Sequence, residues 1–528
     1  MGNPWLIRRF FSVEGDYYPI MPTKLNRIII YILVAVAAAL SVNLIVYSAK
    51  QCIVLRLPFA ASLLIGWFLL FVIPQLFFVW YLYCRFQKRD IPKATTGLRV
   101  DVFITAFNEP MWMVKRAVNA SMHITYPHRT YLLDDSHDSA YKGLAKNLGS
   151  AYLNRDGNKD YKAGNINSAL ERTSGDFIVV FDIDHAPRPE FLDRTLGFFN
   201  DPLVGFVQVM ETFCNSKENL MAQASTQTAM EYFNISLVCK DHIGAGSMHG
   251  TNAVIRRKAL DSIGGYQPGL AEDLETSLSL HGHGWKSAYV CEPLAPGFSP
   301  ATFNAFCKQQ LKWSRGVFET AWRSVVSGTF FRLTLSQQLA YSVRFSYYIV
   351  GLSVLLGMVL TFSCLTILEA GFYEGFLARL LPLAAATMVI RWFMLRAWAT
   401  EPDAKMGIQL KGTSLVFSTW PVYMLSLVCT IARISIPFMS TPKDSGFEMN
   451  QWTILPQIFM IAAMIIGIIW KIVHWQESPA PFTLITALLI VAQQWILFVL
   501  VWQSLRKPIS GADYDRTRKK GGGPACSN

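Results

Sequence analysis

Charge is scarce in this 528-residue chain: Asp, Glu, Lys and Arg make up 16% of it, against 52% hydrophobic residues. An ordinary soluble domain carries about a quarter charged residues, so the composition argues against a wholly water-soluble protein. The nine cysteines are scattered and include no C-x-x-C pair, which offers neither a zinc site nor a disulfide framework. Four of them, Cys214, Cys239, Cys291 and Cys307, fall in the polar middle of the chain and read as reduced thiols in a cytosolic setting. No small-residue cleavage site follows the first apolar run, and the charged stretch Met1–Lys24 is too long for a signal peptide. Internal repeats are absent as well. Acidic residues are outnumbered 36 to 48, for a formal charge of +12, yet no nucleic-acid motif accompanies the excess. The basic residues crowd beside apolar segments instead: Arg8, Arg9, Lys24 and Arg27 before the first, and Arg506, Lys507, Arg516, Arg518, Lys519 and Lys520 after the last. Cytoplasmic ends of membrane spans collect Lys and Arg in this way, so nucleic acid is set aside as a partner.

Long apolar runs are what the chain does have. Crossing a bilayer takes about 20 residues, and the stretches 28–48 and 58–83 each supply that length. Further runs lie at 341–366, 376–395, 413–433, 453–470 and 482–505. If all seven crossed, the basic tail would end opposite the basic N-terminus. Treating 413–433 as an in-plane helix, interrupted at Trp420-Pro421 and flanked by Lys411 and Arg433, restores one side for every basic cluster. The expectation is six spans plus an interfacial segment, with a true seventh span as the alternative.

Between Arg85 and about residue 300 the pattern becomes that of an α/β domain. Strand-like runs at Val100–Thr105, Tyr131–Asp134, Phe177–Asp182 and Val204–Val209 alternate with polar, helix-compatible segments. Such alternation predicts a largely parallel sheet with ligands at the strands' carboxyl ends, where polar or acidic residues follow each run.

Those residues carry the chemistry. Asp182 and Asp184, two apart after the apolar run Phe177–Phe181, point to one side and can share a hard cation such as Mg²⁺ or Mn²⁺; the bland reading is a solvated loop. In Asp134-Asp135 one carboxylate would bind a nucleotide base or ribose while the other orients the loop, the alternative being an Asx turn with Ser136. Phe107 and Glu109 offer an aromatic face and polar groups at the same edge, and Lys162 could contact phosphates. Glu272-Asp273 opens a helix expected over Leu274–Leu280. There Asp273 is either a cap or the base that takes a proton from an attacking hydroxyl. Residues 306–330 mix Trp313, Phe318 and Trp322 with Lys308, Lys312, Arg315 and Arg323, as an amphipathic helix at a membrane surface does. Gln309, Lys312, Trp313 and Arg315 on it are candidate substrate-binding residues, with the indole against a sugar ring and Lys312 at the diphosphate. Arg344 and Arg391 sit near span ends, where an interfacial role explains them.

Together these motifs resemble the processive, membrane-embedded family 2 glycosyltransferases, above all the bacterial cellulose synthase catalytic subunits and related β-glucan (curdlan, mixed-linkage) synthases. The resemblance covers roughly residues 58–505. The family's D, D-x-D, T-E-D and Q-x-x-R-W signatures fall on Asp135 (with Asp134), Asp182/Asp184, Glu272/Asp273 and Gln309/Trp313. By resemblance, Phe107 and Glu109 lie at the uridine, Lys162 near the phosphates, and His249-Gly250-Thr251 beside the acceptor end. Gly284-Trp-Lys-Ser287 also looks like the family, and Phe438–Lys443 resembles its gating loop, with Thr441 and Lys443 as binding residues. Two departures stand out: Ala271 replaces the usual Thr, and Lys312 replaces an Arg, so bidentate phosphate binding is lost. No counterpart of the cyclic-di-GMP-binding PilZ domain is seen.

The resemblance implies a GT-A-like α/β glycosyltransferase domain on the cytosolic side of the plasma (inner) membrane, inserted between transmembrane helices. The expected order is a cytosolic segment (1–27), two spans (28–84), the glycosyltransferase domain (85–300), interfacial helices (301–340) and two spans (341–397). An interfacial helix with gating-like loop (398–450), two spans (451–505) and a basic tail (506–528) follow. The implied activity is inverting transfer of glucose from UDP-glucose to a growing β-glucan that leaves through the enzyme's own channel, with accessory export subunits as possible partners. Alternatives are synthases of curdlan, mixed-linkage glucan, chitin or hyaluronan, a non-processive lipid glycosyltransferase, and, outside enzymology, a transporter or nucleotide-sensing scaffold.

Overall fold

The computed structural model describes residues 24–55, 72–217, 219–366, 371–399, 409–434, 436 and 453–506. The expected gating-like loop with Thr441 and Lys443, and the basic tail beyond Arg506, lie outside the described residues.

The chain enters through helix α1 (Lys24–Leu55) and α2 (Ile73–Cys84). Nine strands follow among the described residues: β1 (Val100–Ala106), β2 (Arg129–Asp134), β3 (Ala151–Asn154), β4 (Phe177–Asp182), β5 (Val204–Val209), β6 (Thr212–Phe213), β7 (Ala253–Arg256), β8 (Lys286–Val290) and β9 (Pro296–Gly297). Seven of them form one sheet in the order β3-β2-β1-β4-β7-β5-β8, while β6 and β9 pair separately. All neighbours in the large sheet run parallel except β7, which is antiparallel to both β4 and β5. The sheet is therefore mixed, and β3, β7 and β8 add to the four strands expected.

Alternation explains the layering. Val100, Val102, Val179, Phe181, Val207 and Val254 point to one face and pack on Phe191, Leu192 and Leu196. Phe103, Ile178, Val180, Phe206 and Ile255 point to the other, against Ala163, Ile166 and Ala169 of α3 (Tyr161–Arg172). Burial on both faces is why β1, β4 and β5 read as largely apolar runs, broken in β1 and β5 by the buried Asp101 and Gln208.

Four helices join this domain to the membrane region: α4 (Leu220–Glu231), α5 (Glu272–Gly282), α6 (Phe303–Val326) and α7 (Leu335–Ser346). Beyond them come α8 (Val350–Thr366), α9 (Gly371–Trp398), α10 (Leu410–Ser418), α11 (Trp420–Ile431), α12 (Leu455–Val473) and α13 (Pro481–Arg506). Among the described residues, five helical stretches are long and apolar enough to cross a membrane: Lys24–Gln51, Leu335–Thr366, Gly371–Trp398, Leu455–Val473 and Pro481–Ser504. The apolar run expected from residue 341 falls within a helical stretch that begins earlier, at Leu335. Of the expected span 58–83, the described part is the apolar helix α2. Helices α10 and α11 meet at a 41° bend, where Trp420-Pro421 interrupts the sequence.

Met221 and Ala224 of α4 share a core with Phe303 and Phe306 of α6, Leu415 of α10 and Leu497 of α13. The glycosyl-side helices are thereby locked to apolar helices rather than tethered by linkers. The contact of α6 with α5 is equally close: a Cβ built on Gly316 would lie 2.7 Å from the Ala271 nitrogen and 2.8 Å from its Cβ. We expect Gly316→Ala to cost about 1–3 kcal/mol by overpacking. Gly143→Ala, on the exposed side of the helix Ser139–Leu148 where an added methyl meets nothing, should be neutral or stabilising by up to about 1 kcal/mol. Melting curves of the two solubilised variants should move in opposite directions or differ by several degrees.

Candidate active site

The carboxyl ends of β1, β2, β4 and β5 open into one cavity of about 1320 Å³. Its wall includes Phe107, Glu109, Asp135, Lys162, Asp182, Asp184, His249, Glu272, Asp273, Gln309, Lys312 and Trp313, so twelve of the residues singled out from sequence share one space.

Asp182 ends β4, and its backbone N–H donates to Thr251 Oγ1 at 3.0 Å. Its carboxylate accepts from Lys162 Nζ and lies 3.3 Å from Thr105 Oγ1. Asp184 is buried, beside His185, whose Nδ1 is 3.3 Å from its carboxylate. The His185 ring lies so close to Gly297 that a Cβ there would fall 2.5 Å from Nε2, so only glycine fits. Among the described residues no three His, Cys, Asp or Glu side chains converge as a complete metal cage. Two oxygen donors with room beside them suit Mg²⁺ or Mn²⁺, which take remaining ligands from water and phosphate oxygens.

Lys162, on the first turn of α3, links the two halves of the site. Its ammonium donates to Asp182 and to the Gly250 carbonyl and stands 4.0 Å from Glu272 Oε1. Burial alone would lower its pKa, but the Asp182 and Glu272 carboxylates outweigh that and hold it protonated. Gly250 adopts φ +82°, and a Cβ there would sit 3.5 Å from Lys162 Nζ and 3.8 Å from carboxylate oxygens of both Asp273 and Glu272. Helix α5 begins at Glu272 with Ala271 at the N-cap position, so Asp273 falls in the first turn and is not the N-cap residue. Burial raises the Asp273 pKa, and its neighbour Glu272 pushes the same way.

At the sheet's other edge the Asp134-Asp135 pair divides its work. Asp134 accepts from the backbone N–H groups of Ser136 (2.8 Å) and Asp138 (2.9 Å) and from the Tyr152 hydroxyl (2.8 Å). It holds the loop and is not among the cavity-lining residues. Asp135 does line the cavity, and Arg155 clamps it through Nε and Nη2, both at 2.8 Å. Glu109 accepts from the Phe107 N–H at 2.5 Å; burial pushes its carboxyl up to about 7, with Asp184 and Asp182 adding to the rise.

Trp313 is 40% exposed on α6, with Gln309 and Lys312 on the same cavity wall. Arg315 does not line the cavity: its guanidinium lies 3.5 Å from Glu319 and 3.4 Å from the Ile434 carbonyl. Sequence reasoning missed Glu211, just past β5, whose pKa is raised well above normal by burial and then by Asp182, Asp273 and Asp184. Its position after a buried strand was the available signal. Arg344 and Arg391, whose sequence positions suggest membrane interfaces, also line the cavity, as do Tyr232 and Lys240.

This arrangement meets known proteins at the matching place. Residues 98–316 match the sequence profile described as "Glycosyltransferase like family 2". The chain carries a family 2 glycosyltransferase domain. The cellulose synthase catalytic subunit (UDP-forming) of Xanthomonas axonopodis pv. citri is 32% identical over 231 residues, 42% of this chain and 32% of that protein. Cellulose synthase 1 catalytic subunit (UDP-forming) of Komagataeibacter xylinus is 26% identical over 367 residues, 67% of this chain and 47% of that protein. The chain thus spans less than half the length of either relative. The mannosyltransferase PcManGT from Pyrobaculum calidifontis, solved with GDP-Man and Mn²⁺, superposes with a TM-score of 0.53 at 14% identity, over 71% of this chain and 99% of that one. It shares the GT-A-like fold of the glycosyltransferase domain.

The Asp135–Arg155 clamp is buried, with side chains 8% and 10% exposed. Removing one partner of such a pair costs about 3–5 kcal/mol, whereas replacing both with apolar residues is often nearly neutral. Arg155→Met should therefore destabilise the glycosyltransferase domain strongly, and adding Asp135→Leu should recover most of the loss in denaturant titrations.

Proposed function

We propose that the chain is an inverting, UDP-sugar-dependent hexosyltransferase that adds glucose from UDP-glucose to a growing β-glucan at the plasma membrane. The observation that carries this reading is the single cavity. It joins Asp182, Asp184, Asp273 and Trp313 to residues of the apolar helices α2, α9 and α13, including Leu76, Leu383 and Gln493. A path from catalytic carboxylates into membrane-spanning helices supports passage of the product through the protein's own channel, with the glycosyltransferase domain on the cytosolic side.

The roles follow from position. Phe107, Glu109 and Asp135 border the end of the cavity suited to the uridine. Asp182 and Asp184 would hold Mg²⁺ or Mn²⁺, which supplies charge neutralisation on the departing diphosphate. Lys162 and Lys312 bring further positive charge to the phosphates. Asp273 takes the proton from the acceptor hydroxyl as its oxygen bonds to the anomeric carbon; the bond from that carbon to the diphosphate oxygen breaks, and UDP leaves with the electron pair. No protein nucleophile is needed, and the configuration inverts. Gln309 and Trp313 hold the acceptor sugar, the indole against its apolar face, with His249 nearby. Positioning supplies much of the rate. Glu272 holds Lys162 in place.

General-base help is worth about 10²–10⁴ in rate. Asp273→Asn should lose at least about a hundredfold in turnover while UDP affinity stays within a factor of a few; near-normal turnover removes Asp273 from its role. The base works only when ionised, so its raised pKa puts the acid limb of the rate profile above the ordinary carboxylate value of about 4, with activity falling as pH drops through it. Product made by the purified chain from labelled UDP-glucose, digested with linkage-specific hydrolases, tests the β-glucan assignment against curdlan, mixed-linkage glucan, chitin or hyaluronan.

A further inference from the structure

Three stretches of chain that are far apart in sequence meet at Asp184, and one side chain touches all of them. Arg116 sits on the helix Met111–Met122, which follows directly on the cavity-lining Phe107 and Glu109. Its Nη1 donates to the Asp184 carbonyl at 2.8 Å and its Nη2 to the Pro296 carbonyl at 3.0 Å. The same Nη2 lies 3.7 Å from Cys214 Sγ. The guanidinium also covers the Phe298 ring, 4.9 Å from its centre. Trp112, on the same helix, meets that ring edge-on at 5.6 Å.

Each of these contacts falls on a segment that shapes the Asp184 carboxylate. The Phe298 N–H lies 3.4 Å from Asp184 Oδ2. The N–H groups of Ala186 and Arg188 donate to the carbonyls of Pro296 and Leu294 at 3.2 and 2.7 Å, which joins the stretch after β4 to the one that enters β9. β9 pairs with β6, and the Cys214 N–H donates to the Gly297 carbonyl at 3.0 Å. Ile183, between the two carboxylates, is buried with Met113, Val114 and Ala117 of the Arg116 helix. Asp182 is thus fixed through its side chain by Lys162, and Asp184 through its main chain by Arg116.

A planar guanidinium can cover a ring and reach two carbonyls at once, whereas a lysine ammonium is a point charge on a flexible stem. Arg116 is not among the residues that wall the cavity, so it acts on a bound ion only through the groups it holds. Outer groups that orient metal ligands typically account for about 10–100-fold in metal affinity or activity.

We propose that Arg116 is a positioning residue of the cation site: it locks the Asp184 main chain, Pro296 and Phe298 into one unit and so aims the Asp184 carboxylate at Mg²⁺ or Mn²⁺. The inference rests on the reading of Asp182 and Asp184 as cation ligands given above.

The test titrates Mn²⁺ into the full chain with UDP present, followed by electron paramagnetic resonance, and measures UDP affinity in EDTA beside it. Arg116→Met keeps an apolar stem near Phe298 and removes both hydrogen bonds; it should weaken Mn²⁺ about tenfold or more. Line broadening in ¹⁷O-enriched water should show more water on the ion in that variant, in place of the misaimed carboxylate. Arg116→Lys keeps the charge and should lose less, about threefold or more. UDP affinity in EDTA should stay within about twofold in both, because the nucleotide groups are untouched. Should Arg116→Met fail to fold, Arg116→Lys decides alone. Unchanged Mn²⁺ affinity in a folded variant, or parallel loss of both affinities in Arg116→Lys, overturns the positioning role. An unsubstituted chain that binds UDP and gains nothing from Mn²⁺ contradicts the cation reading itself, and the role of Arg116 with it.

Discussion

Glu109, Asp182, Asp184, Glu211, Glu272 and Asp273 face one cavity, and their mutual repulsion is the constraint the site must meet. Two unit charges 4 Å apart interact by about 4 kcal/mol near a protein surface, a large share of a domain's net stability. The buried ammonium of Lys162 answers it by bonding Asp182, standing beside Glu272 and anchoring on the Gly250 carbonyl. That one cation ties the end of β4 to the first turn of α5, so the proposed metal ligands and the proposed base are set relative to each other. Burial, and then the neighbouring carboxylates, raise the pKa values of Glu109, Glu211 and Asp273.

Reaction geometry and membrane geometry are coupled through packing. Gly316 lets α6, which carries Gln309 and Trp313, lie against Ala271 at the head of α5. A Thr at position 271 would press further into that contact, so Ala271 and Gly316 form a small-residue pair suited to each other. Helix α4 sits between the domain and α10 and α13, and Gly412 of α10 approaches it so closely that a Cβ would lie 2.6 Å from Gln227 Cβ. Shifts of the apolar helices would therefore reach the acceptor side of the cavity directly.

Much of this was legible in the residues, for reasons that differ by element. β1, β4 and β5 were visible because burial on both faces makes them largely apolar. β3, half exposed, and β8, which starts on Lys286, lacked that signature, and the antiparallel β7 follows from topology alone. Asp182, Asp184 and Asp273, the proposed metal ligands and base, were legible as ordered motifs at element ends. Glu211, Tyr232 and Lys240 belong to no such motif, and only the fold brings them to the cavity. Arg155 sits twenty residues from Asp135, a spacing with no local meaning until β2 and β3 pair. Arg344 and Arg391 read as interfacial because a charge near the end of an apolar run usually serves the interface; that both also line the cavity, and that Arg391 pairs with Glu231, follows only from the fold.

The central claim is that one cation-bound sugar nucleotide sits where these carboxylates converge. Locating Mn²⁺ by its anomalous scattering in crystals of the full chain with UDP measures that directly. The account predicts an ion held by Asp182, Asp184 and the diphosphate, in the same cavity as Asp273 and Trp313. An ion bound elsewhere, or UDP lodged outside that cavity, contradicts it.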